Sequence, residues 1–241
     1  MIYRIFVAFV VSVFQGVAFG QVAVPSPVPT KVDVVFIGDS ITASWITRDS
    51  EFFTPGRVDK GIAGQTTSQI LARFQQDVID LHPSIVHIMA GTNDIAQNEG
   101  PVTNDQIAQN IETMATMALR SHIKVIIGSV LPCTDFFWHH GLQPAPTIKA
   151  LNVLLKNYAQ THGLVFADYY TEMDDGSGGL RADLGINVRS DGQIDKVHPS
   201  VKGYEVMDPI AEKALRSLEV SVDGGCGTLA KNICVTRASS F

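Results

Sequence analysis

Several residues at the ends of apolar runs in this chain have side chains that could together make and break an acyl bond. Ser40 closes VVFIGDS (34–40), where a run of β-branched and aromatic residues stops at Gly38-Asp39. A serine hydroxyl is a weak nucleophile at its own pKa and needs an adjacent base. His198, in DKVHPS (195–200), is a candidate for that base, and Asp195 stands three residues before it. One tight turn at that spacing brings a carboxylate to the imidazole Nδ1, which would fix the tautomer and leave Nε2 to take the serine proton. Acyl transfer also needs donors aimed at the developing oxyanion. Gly64, in GIAGQTT (61–67), has no side chain to screen its N–H, and Asn93, in GTND (91–94), offers an amide; with the Ser40 N–H they make three donors.

Each of these residues also has a plainer use. Serine is a frequent helix N-cap, Gly64 suits a turn, Asn93 suits an Asx-turn, and Asp-x-x-His pairs arise by chance. The end of the first apolar run could equally cradle a phosphate, with Ser40, Thr42 and Ser44 at a helix N-terminus. Asp191, just upstream, is a rival orienter for His198.

The elements that must position these residues decide among such readings. Strand patterns fall at 32–37, 58–61, 85–89, 125–127 and 164–167, and helical patterns at 67–81, 104–121, 146–162 and 200–219. Within the second helix Ile107, Ile111, Met114 and Ala118 recur at the spacing of a buried face. Short strands alternating with helices predict βαβ units, hence an α/β fold with a parallel sheet covered on both faces. Ligands of such sheets bind beyond the carboxyl ends of the strands. Ser40, Gly64 and Asn93 come just after the first three strands, and a long polar loop after the fifth leads to Asp195 and His198. Their arrival at one end of one sheet is what the single-residue explanations handle badly.

Taken in order, Gly38-Asp39-Ser40, Gly64, Asn93 and Asp195/His198 resemble the four blocks of the SGNH (GDSL-type) hydrolases over about residues 32–216. The resemblance implies a flavodoxin-like three-layer α/β/α sandwich with a parallel sheet of about five strands, and esterase activity without metal or organic cofactor. By the same likeness Ser40 is the nucleophile, His198 the base and Asp195 its orienter. Ser40 N–H, Gly64 N–H and Asn93 form the oxyanion hole. Ile41 stands where the family has Leu, and Lys196 where Gly is common. The family spacing to His198 is kept by Asp195 and not by Asp191.

Composition bounds the setting. Hydrophobic residues make up 45% of the chain and charged ones 17%, a globular balance. Residues 1–20 read as a signal peptide, with Arg4, an apolar run over 5–14 and a small-residue cleavage pattern at Ala18-Phe19-Gly20. That run breaks at Gln15, short of the roughly 20 apolar residues of a membrane span. A Pro-rich linker (21–30) then leads to the hydrolase domain (31–219), and the tail (220–241) has no assigned role. A net charge of −6, more negative once Arg4 is removed, disfavours nucleic acid or an anionic membrane as partner. Cys226 and Cys234 are placed to close a small disulfide loop in an exported protein, leaving Cys133 free. In CTDFFWHHGLQPAP (133–146), Trp138 is the candidate for stacking on a sugar, at least one Phe is expected to pack, and His139-His140 lack a third metal ligand. The reading is a secreted or periplasmic serine esterase removing acetyl or other short acyl groups from a small-molecule or polysaccharide ester. A lipase, arylesterase or thioesterase is the alternative within the family. A flavin- or phosphate-binding module, or a sugar-binding protein without catalysis, is the alternative outside it.

Overall fold

The computed structural model describes residues 31–219. The segments read as a signal peptide (1–20) and a linker (21–30), and the tail with Cys226 and Cys234, lie outside the described residues. Five strands, β1 (Val34–Gly38), β2 (Arg57–Gly61), β3 (Ile85–Met89), β4 (Lys124–Gly128) and β5 (Val165–Ala167), form a parallel sheet in the order β2-β1-β3-β4-β5. This is the flavodoxin-like strand order, and β1 is flanked by β2 and β3 as the placement of Gly64 and Asn93 beside Ser40 requires.

Strands β1 and β3 are buried along their whole length, which is why β1 reads as an unbroken apolar run and β3 as one broken only by His87, whose buried Nε2 pairs with Tyr169 Oη. Val35, Ile37, Val86, Ile88, Val125 and Ile127 face one side, against α2 (Thr67–Asp77), α4 (Asn104–Arg120) and α5 (Pro144–Thr161). Val34, Phe36, Ile85, Met89 and Ile126 face the other, against α1 (Ser40–Arg48), α6 (Tyr169–Met173) and α7 (Val201–Glu219). The three layers follow from this alternation. Local signals start the helices: α2 and α4 each open on a capping box, Thr66 with Gln69 and Thr103 with Gln106, and α5 opens on Pro144. Between α1 and the sheet the backbones nearly touch. A Cβ on Gly61 would lie 2.1 Å from the Ala43 nitrogen, and one on Gly38 2.2 Å from Thr42 Oγ1.

Two expectations need correction. The helix expected over 67–81 ends at Asp77, and Ile79–Leu81 form a 3-10 turn, with His82 left-handed at φ 49° ahead of Pro83. The stretch after β5, expected as a long polar loop, contains α6 and an antiparallel hairpin of β6 (Gly185–Val188) and β7 (Ile194–Pro199). Strand β7 begins against the usual pattern, Ile194 being 62% exposed and Asp195 1% exposed, before Lys196 outside and Val197 inside restore it. A carboxylate occupies the inward position where a strand normally buries an aliphatic side chain.

Candidate active site

At the end of β1 the work of capping falls to Asp39. Its Oδ1 accepts the Ile41 N–H at 2.9 Å, making Asp39 the N-cap of α1 and Ser40 the first helical residue. The Ser40 hydroxyl is thereby left to the imidazole, with Oγ 2.9 Å from His198 Nε2. Its own N–H belongs to the first turn, where a helix supplies no acceptor. Burial pushes the Asp39 carboxyl up to about 6, against the opposing pull of the Ile41 N–H and the nearby His198. With a carboxyl group already capping this helix N-terminus, the turn is a poor cradle for a phosphate. The position is braced from both sides: Arg73 Nη2 donates to the Gly38 carbonyl at 3.0 Å, and Tyr204 Oη donates to the Ile41 carbonyl at 2.7 Å.

Asp195 uses its two oxygens for different tasks. Oδ1 accepts the N–H groups of Val197 at 2.9 Å and His198 at 3.0 Å, bending the chain, while Oδ2 accepts His198 Nδ1–H at 2.8 Å. The three-residue spacing is what lets one carboxylate do both. Burial pushes the Asp195 carboxyl up, but the hydrogen bonds from the His198 ring and from these two N–H groups outweigh it and hold the group below its ordinary value. Asp191 is elsewhere, exposed and paired with Arg189. Arg189 Nη1 also stands 3.9 Å from Asp195 Oδ2, and its guanidinium carbon lies 4.1 Å from the Phe137 ring centre.

The two other residues expected to donate, Gly64 and Asn93, sit on the loops after β2 and β3. Gly64 is exposed at φ +79°, with nothing within 4 Å to obstruct a side chain, so conformation and not space calls for glycine there. Asn93 is buried on the short helix α3 (Thr92–Ile95) and donates through Nδ2 to the Gln65 carbonyl at 3.0 Å. Its neighbour Asp94 accepts from Thr67 N–H at 2.9 Å and Thr67 Oγ1 at 2.6 Å, tying the loop after β3 to the start of α2.

The loop after β4 adds an aromatic wall. Phe136 is fully buried, as expected of one packing Phe. The rings of Phe137 and Trp138 lie 6.2 and 6.3 Å from that of His198, and Trp138 is 37% exposed. Its indole N–H is committed to Asn98 Oδ1 at 2.9 Å. The two histidines point apart: His139 Nδ1 donates to the Ala96 carbonyl at 2.7 Å, and His140 Nδ1 pairs with Asp135 at 3.0 Å. Cys133 is a buried free thiol, pushed up to about 12 by that burial. The structure thus joins Ser40, His198 and Asp195 directly and ranges Trp138 beside them. Phe137 belongs to the aromatic segment singled out in the sequence, but sequence reasoning missed Asn98, Arg73 and Arg189, whose contacts reach other parts of the chain and leave no local pattern.

The chain is similar to known proteins over most of its described length. The sequence matches the GDSL-like Lipase/Acylhydrolase family over residues 36–206. A GDSL-like lipase from Bacteroides thetaiotaomicron superposes with a TM-score of 0.71 at 38% identity, covering 80% of this chain and 91% of that one. An acetylxylan esterase of Geobacillus stearothermophilus is 28% identical over 154 residues, 62% of this chain and 67% of that one. An uncharacterized lipoprotein of Bacillus subtilis is 30% identical over 128 residues, 46% of this chain, and the match spans about half of that relative, 53%. With the family pattern running from inside β1 to inside α7, the chain belongs to the GDSL-like lipase/acylhydrolase family of ester-hydrolysing enzymes.

Proposed function

We propose that this protein is an exported serine ester hydrolase that removes acetyl or other short acyl groups from a carbohydrate. One observation carries the reading: the unbroken hydrogen-bond relay from Ser40 Oγ through His198 to Asp195, at 2.9 and 2.8 Å. Ser40 Oγ attacks the acyl carbonyl carbon while its proton passes to His198 Nε2. The charge moving onto the carbonyl oxygen is met by the N–H groups of Ser40 and Gly64 and by the second hydrogen of the Asn93 amide. His198, now an imidazolium held by ionised Asp195, returns the proton to the sugar oxygen as the C–O bond breaks, leaving an acyl-serine. Water then adds to the acyl carbon, its proton again going to His198. Collapse of that intermediate, with His198 returning the proton to Ser40 Oγ as the acyl–oxygen bond breaks, frees Ser40 and the carboxylic acid.

The aromatic wall of Phe137 and Trp138 supports a sugar as the alcohol part, since a ring face covers the apolar face of a pyranose. Similarity to an acetylxylan esterase supports a short acyl group. Export rests on the leader at residues 1–20; among the described residues no helix is long and apolar enough to cross a membrane. The test is turnover of p-nitrophenyl acetate by the wild-type chain and Ser40→Ala, followed by acetate release from acetylated xylan, pectin and simple sugar acetates. Ser40→Ala is expected to lose on the order of 10⁴-fold or more in kcat, and acetyl esters to be turned over faster than octanoyl ones. Unchanged turnover in the variant removes Ser40 as nucleophile. A preference for octanoyl esters removes the deacetylase reading.

A further inference from the structure

We infer that Asn98 is a positioning residue for the oxyanion hole, a single amide that sets Asn93 and Gly64 together and is itself held by Trp138. The inference rests on the roles proposed above for Ser40, Gly64 and Asn93. Asn98 follows α3 on a tight turn: Gln97 takes the left-handed conformation at φ 59°, and the Asn98 N–H returns to the Asn93 carbonyl at 3.0 Å. From that turn the side chain reaches three loops. Nδ2 donates to the Gly64 carbonyl and to Asn93 Oδ1, each at 3.0 Å, while Oδ1 accepts the Trp138 indole N–H at 2.9 Å. Both amide hydrogens and the amide oxygen are therefore in use.

The consequence for Asn93 is directional. The two ends of a carboxamide have nearly the same shape, so an Asn side chain can turn over at little steric cost. Asn98 Nδ2 demands an acceptor from Asn93, and the Gln65 carbonyl demands a donor. Only one orientation answers both, and it leaves a hydrogen of Asn93 for the substrate. The opposite orientation would set oxygen against oxygen and N–H against N–H. Gly64, free of side-chain restraint, is fixed at its carbonyl by the same Nδ2. Loops after β2, β3 and β4 thus share one anchor, and the aromatic wall is registered to the oxyanion hole through it.

The test is steady-state kinetics with p-nitrophenyl acetate for Asn98→Ala, Asn98→Asp, Asn93→Ala and the Asn93→Ala/Asn98→Ala double variant, with thermal melts for each. Asn98→Asp keeps the shape and removes the donor, and serves if Asn98→Ala folds poorly. Each Asn98 variant is expected to lose about 10- to 100-fold in kcat, with KM changed less than about threefold, because geometry at the reacting carbonyl is lost and binding of a small ester is not. The double variant is expected to lose clearly less than the product of the single losses, since Asn98 acts partly through Asn93. Trp138 emission should shift in Asn98→Ala. Wild-type kcat in folded Asn98 variants, or fully multiplicative losses in the double variant, overturn the inference. Ser40→Ala measured alongside separates the failures: retained turnover there removes the nucleophile reading and this inference with it, whereas lost turnover with intact Asn98 variants removes the inference alone.

Discussion

A carboxyl buried at the start of α1 should make the fold lose stability as pH rises, and Asp39→Asn reads the effect. Asp39 is 2% exposed, and burial lifts its carboxyl from 3.8 to about 6. Between those two values the folded chain keeps a proton that the unfolded chain has already released. Stability therefore declines as pH climbs through that window and remains lower above it. At about 1.36 kcal/mol per pH unit, the gap from 3.8 to about 6 amounts to about 3 kcal/mol at pH 8. Asparagine caps helices about as well as aspartate, and its Oδ1 can still accept the Ile41 N–H, so the substitution chiefly removes the charge. Urea unfolding of both proteins at intervals from pH 4 to pH 8 measures it. Asp39→Asn is expected to be more stable than wild type by about 2–3 kcal/mol at pH 8, the difference shrinking below about 1 kcal/mol at pH 4. Parallel profiles, or a variant less stable at pH 8, would falsify the argument and show the charge to be stabilised by the α1 N-terminus.

Asp195→Asn should lower kcat for p-nitrophenyl acetate by about 10⁴-fold, because an amide facing Nδ1 selects the wrong imidazole tautomer; a loss below tenfold assigns the orienting role elsewhere. Since the folded Asp195 carboxyl sits below its ordinary value, the stability it contributes is present above about pH 4 and lost on acidification through its folded value. Asn152 bridges Val130 with both ends of its amide, accepting from the N–H and donating to the carbonyl, each at 2.8 Å. Asn152→Ala leaves two buried backbone groups unpaired and should cost about 2–4 kcal/mol in urea unfolding. Gly61→Ala drives a Cβ into the α1 backbone, 2.1 Å from the Ala43 nitrogen. Soluble expression with a native-like melt in that variant contradicts the close approach.

The inner strands were legible because parallel strands buried on both faces appear as largely apolar runs, whereas the half-buried edge strand β2, RVDKG, shows no such run; all five were nonetheless placed within two residues. The hairpin was not, because β7 hides Asp195 and shows Ile194 to solvent, the reverse of the signal that marks a strand. Helices α3 and α6, of four and five residues, are too short to display a period. Asp195 and His198 could be paired from spacing, since their contact is local. Whether Ser40 caps α1 turned on a shift of one residue that no pattern encodes; Asp39 takes that place. Asn98, Arg73 and Arg189 matter through contacts with residues distant in sequence, and only the folded chain reveals them.

Ser40 and His198 are 158 residues apart, and their meeting is secured by contacts equally remote in sequence, Tyr204 to the Ile41 carbonyl and Trp45 Nε1 to Asp208. Contacts of such separation carry a large closure entropy and form late. A chain emerging from synthesis, or threaded unfolded through an export channel, would therefore carry Ser40 without His198 beside it. Hydrolysis would begin only when α7 docks against α1, so recovery of turnover during refolding would time that docking.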